Sequence, residues 1–176
     1  MLIKQRNKFF KLEIPKSLKI VYVWKKGLGL FANKNFKKGE VVIRFKADLV
    51  PNAKASPEAV TVDDKFSINT RWLVPEAFIN HSCSTNTKID VIGFRYIAIK
   101  NIRKNDEITY NYNTTDYDMR KSRDDFKCEC GSKTCLGQIK GFKYLTRAQK
   151  IKLKPYLTPF LITRLVQTNR YGMEMK

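Results

Sequence analysis

All four cysteines of this 176-residue chain fall into one arrangement: Cys83 alone, then Cys128, Cys130 and Cys135 in C-x-C-x₄-C spacing. Three close thiols with a fourth far upstream make one tetrahedral thiolate site, for which Zn²⁺ is the natural occupant. Such a metal pins the segment around Cys83 to the segment after Cys128, so function is to be sought beside those two anchors. Two disulfides are the arithmetic alternative. Cys128 and Cys130 are too close to bridge comfortably, and Gly131 follows them as in a metal-binding turn. The first residues, Met1 to Arg6, lack the apolar run of a secretory signal. An intracellular, reducing compartment, cytoplasm or nucleus, is therefore expected, and it favours metal over disulfide.

The length fits one domain with a proper core. No stretch approaches the roughly 18 apolar residues of a membrane span, so no membrane partner is expected. The formal net charge is +19, from 35 Lys and Arg against 16 Asp and Glu. It is unevenly placed. Residues 1–46 and 131–176 are strongly basic, residues 47–105 are near balance, and residues 106–129 carry Asp106, Glu107, Asp116, Asp118, Asp124, Asp125 and Glu129. A basic shell around a local acidic zone suggests a polyanion outside and a cationic ligand at the zone. Genome composition would produce the same overall charge without a function behind it, and a solvated turn would produce the same acids.

Strands are expected at Ile20–Trp24, Leu28–Ala32 after a glycine-punctuated turn, Val41–Phe45, Lys88–Ile99 as two strands meeting at Gly93, and Glu107–Tyr112. Residues 47–65, with Pro51, Asn52, Ser56 and Pro57, read as a loop with little regular structure. Thr146 is placed to cap a short helix through Lys152. Thr158-Pro159 is an N-cap and N1 pair for a second helix presenting Phe160, Leu161, Ile162 and Leu165, with Pro155 separating the two. Lys34–Val42 and Lys100–Ile108 resemble each other at an offset of 66 positions, each with one apolar anchor (Phe36, Ile102) in a basic turn. A reused turn geometry accounts for that likeness.

Four motifs occur in a fixed order: Gly27-Leu28-Gly29-Leu30-Phe31-Ala32, then Asn80-His81-Ser82-Cys83, then Asn105-Asp106-Glu107-Ile108-Thr109-Tyr110-Asn111-Tyr112, then the cysteine triplet. Singly each is weak; together, over about residues 20–140, they resemble the SET-domain family of S-adenosylmethionine-dependent protein lysine methyltransferases. The zinc-binding tail of that family is called post-SET. The resemblance implies a mostly β fold, the SET-domain β-clip of short strands and small sheets, with a post-SET zinc loop and short C-terminal helices. It divides the chain into a SET domain (1–115), a post-SET zinc-binding segment (116–142) and a C-terminal helical extension (143–176).

Residue roles follow from the same resemblance. Tyr112 is the tyrosine whose hydroxyl lies beside the transferred methyl, and Tyr110 holds the position that governs how many methyls are added. A hydroxyl there would hold a water or the amine and favours mono- over trimethylation. Gly27, Leu28, Gly29 and Leu30 let backbone approach the cofactor's amino-acid end, and Asn80, His81 and Tyr112 complete the cofactor contacts. Cys83, Cys128, Cys130 and Cys135 hold Zn²⁺. The implied partner is a protein with a basic, lysine-containing, histone-like segment, with contact to nucleic acid or a nucleosome as a further partner. Methyl transfer needs a neutral amine, whereas free lysine has a pKa near about 10.4. A narrow, dry, aromatic channel would disfavour the ammonium and align the reacting atoms.

The chain departs from the family pattern in places. Thr85 stands where proline is usual, Asn105 and Asn111 replace Gly and Asp, and Lys65–Asn69 fits poorly, leaving an arginine or tyrosine near the cofactor unassigned. None removes a reacting group. With no cysteines before residue 83 and a short 47–65 segment, the chain suits a compact, host-directed bacterial or viral member. A non-catalytic SET-like module binding nucleic acid through the basic surface is the alternative. A cysteine hydrolase built on Cys83 and His81 fares badly, because Cys83 is better explained as a metal ligand.

Overall fold

The computed structural model describes residues 2–5, 8–55, 59–70 and 74–171. Ser56 and Pro57 of the expected loop lie outside them. The chain opens with two hairpins, β1 (Leu2–Gln5) with β2 (Lys8–Lys11) and β3 (Leu18–Val23) with β4 (Gly27–Ala32). β5 (Val41–Arg44) follows, then β6 (Ala47–Pro51), β7 (Val60–Thr61) and β8 (Phe66–Thr70), which form a sheet in the order β6-β8-β7. β9 (Asn80–His81) precedes β10 (Thr87–Asp90) and β11 (Arg95–Ala98), which join β5 in the order β10-β11-β5. β12 (Thr109–Tyr110) pairs with β9 in parallel. Next come α1 (Met119–Ser122), the ribbon of β13 (Phe126–Lys127) and β14 (Gln138–Ile139), and α2 (Arg147–Leu153) and α3 (Pro159–Tyr171). Among the described residues no helix is long and apolar enough to cross a membrane.

The segment read as a loop over 47–65 is corrected: it holds β6, β7 and a 3₁₀ turn, and β6 pairs with β8 from Ala47↔Thr70 to Pro51↔Phe66. The prolines misled. Pro51 ends an edge strand, where a missing N–H costs no ladder bond. The other expected strands form, the Glu107–Tyr112 one only over Thr109–Tyr110, with β10 and β11 turning through Gly93 and Phe94, the latter at φ 47°.

Alternation on these short strands buries one main core, built on Leu30, Ala32, Phe36, Ile43, Ile68, Ile89, Tyr96, Ile102 and Ile108. A second, helical cluster joins Phe142, Leu145, Leu157, Leu161 and Leu165. Thr146 and Gln149 make the reciprocal capping box that starts α2. At α3 the expected cap takes another form. The Thr158 hydroxyl is buried with no hydrogen-bond partner among the described residues, while its backbone N–H ties the helix start to Thr114 O at 3.0 Å. Leu161 and Leu165 face the core and Ile162 is 38% exposed, so the apolar stripe is narrower than the sequence suggests.

Candidate active site

The parallel pair β9–β12 sets Asn80 opposite Thr109 and His81 opposite Tyr110. The strand expected through Tyr112 stops at Tyr110 because the Asn111 side chain accepts the Asn113 N–H at 3.1 Å and starts a 3₁₀ turn over Tyr112–Thr114. Tyr112 thereby leaves the sheet, and its N–H donates to His81 Nδ1 at 3.2 Å. Its hydroxyl donates to the Ile79 carbonyl at 3.0 Å, which leaves the oxygen lone pairs as acceptors. Burial, with Asp116 and Glu107 adding to it, pushes the phenol well above its ordinary range, so Tyr112 is a neutral hydroxyl and not a base.

His81 is buried, and burial together with Lys26 lowers its pKa to about 4. The ring is neutral. Because Nδ1 accepts from Tyr112, the proton sits on Nε2, which lies 3.3 Å from Cys83 Sγ and donates to it. Both ring nitrogens are committed, so the imidazole is a tie between the tyrosine and the cysteine cluster.

A cleft of about 250 Å³ opens beside this pair, lined by Lys25, Lys26, Asn80, His81, Tyr112, Phe126 and the Lys127–Cys130 segment. His81, Tyr112 and Phe126 form its aromatic side, with ring centroids 5.3 to 6.0 Å apart. Of the expected cofactor residues, Asn80, His81 and Tyr112 line the cleft, whereas Gly27, Leu28, Gly29 and Leu30 are not among its lining residues. Leu30 is fully buried in the core. The Leu28 carbonyl accepts from Asn80 Nδ2 at 3.3 Å, and the same amide donates to Glu107 Oε1 at 2.9 Å. Glu107 also holds Lys26 at 2.9 Å. A Cβ on Gly29 would come within 3.0 Å of Asn80 Nδ2 and 3.1 Å of Glu107 Oε1, so any side chain there would push on both.

The four cysteine sulfurs lie within 4.8 Å of one another. Four thiolates at about 2.3 Å from a tetrahedral zinc are about 3.8 Å apart, so the cluster has the size the metal requires. Burial pushes Cys83 up to about 11 and Cys128 higher still. A cation would offset that cost of ionising them. The cluster packs with Met119, Ile139, Phe126 and Tyr112.

Tyr110 lies between Tyr96, edge-on at 5.5 Å between centroids, and Tyr112, tilted at 4.7 Å. It does not line the cleft. Its hydroxyl is hydrogen-bonded to Thr115, and burial raises both Tyr110 and Tyr96 far above the normal phenol range.

The acidic zone of 106–129 is not one zone. Glu107 binds Lys26 and Asn80, Glu129 pairs with Lys25 at 3.7 Å, and Asp125 accepts from Gln138. Asp116 and Asp118 instead join Asp63 and Asp64 around a second cleft of about 560 Å³, with Tyr117, Phe160 and Arg164 on its wall. Arg164 bridges to Asp64 and lies over the rings of Tyr117 and Phe160. Burial raises Asp116 to about 6, against the Thr115 hydroxyl that donates to it. One turn links a residue of each cleft: Tyr112 lines the first, Asp116 lines the second, and the Asp116 N–H donates to Tyr112 O at 2.9 Å.

Residues 27–113 match the sequence family described as the SET domain. The chain carries a SET domain. It is 26% identical over 166 residues, 83% of this chain, to "Histone-lysine N-methyltransferase, H3 lysine-36 specific" of Yarrowia lipolytica. It is 27% identical over 128 residues, 62% of this chain, to human "Histone-lysine N-methyltransferase 2D". It spans only 21% and 2% of those relatives' lengths. The crystal structure of KRYPTONITE in complex with mCHG DNA and SAH superposes with a TM-score of 0.56 at 23% identity, covering 69% of this chain and 28% of that one. The expected fold of small sheets and short helices is therefore the one observed.

Several residues of this SET-domain site were not singled out from sequence. Phe126 announces itself only as an aromatic two residues before the cysteine triplet. Lys25 and Lys26 precede the glycine turn that drew attention instead. Asp63 and Asp64 sat in the presumed loop, and Tyr96 reads as an ordinary strand aromatic.

Proposed function

We propose that this SET domain transfers methyl groups from S-adenosylmethionine to a lysine within a basic, histone-like protein segment. The observation that carries the reading is the position of Tyr112 between an aromatic cleft and an acidic one. Transfer between two ligands needs them to meet at one point, and Tyr112 of the aromatic cleft is bonded through its backbone carbonyl to Asp116 of the acidic one. The names of the curated relatives and the SAH in the KRYPTONITE complex support the same reaction class.

The aromatic cleft suits the cofactor. His81, Tyr112 and Phe126 offer ring faces and edges for adenine, Lys25 and Lys26 offer cations for a carboxylate, and Gly29 lets Asn80 close against the backbone. When bound, S-adenosylmethionine supplies an electrophilic methyl on sulfur. The Tyr112 oxygen, its own proton held on Ile79, is free to accept weak C–H hydrogen bonds and to orient the amine. None of Tyr96, Tyr110 and Tyr112 can take the ammonium proton at neutral pH, so their part is orientation and exclusion of water.

The carboxylates of the second cleft, Asp63, Asp64, Asp116 and Asp118, complement a cationic peptide. Cys83, Cys128, Cys130 and Cys135 hold Zn²⁺ in the proposed post-SET segment (116–142), which carries Phe126 into the cofactor wall. A C-terminal extension (143–176) follows it in the proposed division of the chain. A reducing compartment keeps those thiols available, and nucleic acid or a nucleosome is a further partner.

The test is mass spectrometry of histone H3 and H4 peptides incubated with the protein and S-adenosylmethionine, alongside calorimetry of cofactor binding. Methyl increments on lysine, with cofactor bound below millimolar, are expected. No binding at millimolar cofactor and no increment on histones or lysate proteins would sink the reading.

A further inference from the structure

The two similar segments of the sequence pack on each other. Phe36 and Ile102 exchange backbone bonds, Phe36 N–H to Ile102 O at 2.8 Å and Ile102 N–H to Phe36 O at 2.9 Å. The flanking contacts are reciprocal too. Lys38 N–H donates to Asn101 Oδ1 at 2.9 Å, and Lys104 N–H donates to Asn35 Oδ1 at 2.8 Å. Each segment then makes the same turn. Glu40 N–H returns to Lys37 O and Asp106 N–H to Arg103 O, both at 3.0 Å, with the acid side chain accepting from the first residue's N–H. Gly39 and Asn105 occupy the matching left-handed position, φ 88° and 74°.

This local two-fold relation buries the anchors Phe36 and Ile102 and leaves the basic residues of two adjoining turns exposed. Lys34, Lys37, Lys38, Lys100, Arg103 and Lys104 are all exposed. Lys34 is paired with Glu40, and Lys100 reaches Ser84 O. The side chains of Lys37, Lys38, Arg103 and Lys104 make no salt bridge or hydrogen bond with the described residues. Crowding unpaired like charges is unfavourable without an anion.

We infer that this paired-turn surface docks the phosphate backbone of a nucleic-acid duplex. The inference gives the proposed nucleic-acid partner a place and stands apart from the transfer reading. No large apolar side chain is exposed on either turn, so the surface lacks the apolar centre of a protein interface. It has what phosphate contact requires, several exposed cations on two adjoining turns and no base-reading element.

The experiment is fluorescence anisotropy with a labelled DNA duplex of about 20 base pairs, between about 50 and 200 mM salt, where cation–phosphate contacts dominate. The comparison is wild type, the fourfold variant Lys37→Ala/Lys38→Ala/Arg103→Ala/Lys104→Ala, and the charge-keeping variant Lys37→Arg/Lys38→Arg/Lys104→Arg. The fourfold variant should lose ten-fold or more in affinity, and its log–log salt slope should flatten by about 3 to 4. The arginine variant should bind like wild type. Wild-type affinity and slope in the fourfold variant would overturn the inference, as would absence of wild-type binding at low salt. Equal binding of polyglutamate and duplex would assign the surface to an acidic protein instead. Methylation of a free peptide by the fourfold variant is read in parallel and should not change.

Discussion

His81 accepts the backbone N–H of Tyr112 at Nδ1 and offers Nε2 to the sulfur of Cys83, at 3.2 and 3.3 Å. One neutral ring thus ties the proposed catalytic tyrosine to the cysteine cluster. Such ties fix ligand orientation and typically matter by about 10–100-fold in metal affinity or activity. His81→Phe keeps the ring and deletes both bonds. We expect it to lose on the order of ten-fold or more in methyl transfer and to yield zinc more readily in a chelator competition. Unchanged zinc affinity and rate would show that the ring merely fills space.

The same tie predicts that zinc removal impairs the proposed methyl transfer. Phe126 and the Lys127–Cys130 segment wall the first cleft, and the cysteines hold that wall. Stepwise chelation should abolish transfer while far-UV circular dichroism and the main thermal transition persist, because the core around Leu30, Ile102 and Ile108 contains no cysteine. Full activity after complete zinc removal would make the clasp purely structural.

Much of this was legible because the chemistry is carried by rare residues at fixed spacing. Cysteine and histidine occur four times and once, and the chain order of the Gly27, Asn80 and Tyr112 segments survives in the fold. What was not legible depends on contacts between distant segments. The acidic cleft assembles Asp63 and Asp64 with Asp116 and Asp118 across the chain, while local clustering of acids pointed to 106–129. The strand predicted through Tyr112 yielded to a single side-chain cap from Asn111, and β6 was hidden because Pro51 closes an edge.

Asp116 sets a pH dependence. Its ordinary value of 3.8 is raised by burial to about 6 in the folded protein. Between those values the folded state holds a proton that the unfolded chain has released, so this contribution is present at low pH and lost as pH rises through about 6. Asp116→Asn should therefore stabilise the protein above pH 6, by up to about 3 kcal/mol. The gain should vanish near pH 4. Urea midpoints from pH 4 to 8 read the effect, and an equal shift at every pH would refute the assignment.

Tyr110 is partly buried against Tyr96 and Tyr112 with its hydroxyl on Thr115. Tyr110→Phe removes that hydroxyl beside Tyr112 and tests the role that the family resemblance implies, control of methyl number. Product analysis on a histone peptide should move from monomethyl towards di- and trimethyl lysine. An unchanged product distribution would place the control of methyl number elsewhere.

The most direct measurement compares wild type and Tyr112→Phe for methyl transfer from labelled S-adenosylmethionine to histone peptides, with calorimetric cofactor binding on both. The hydroxyl donates only to Ile79 and contributes little to the core. The variant should therefore keep the cofactor yet lose transfer on the order of 10²-fold or more, as expected for a group that acts by orientation and polarity. A Tyr112→Phe protein as active as wild type would contradict the account.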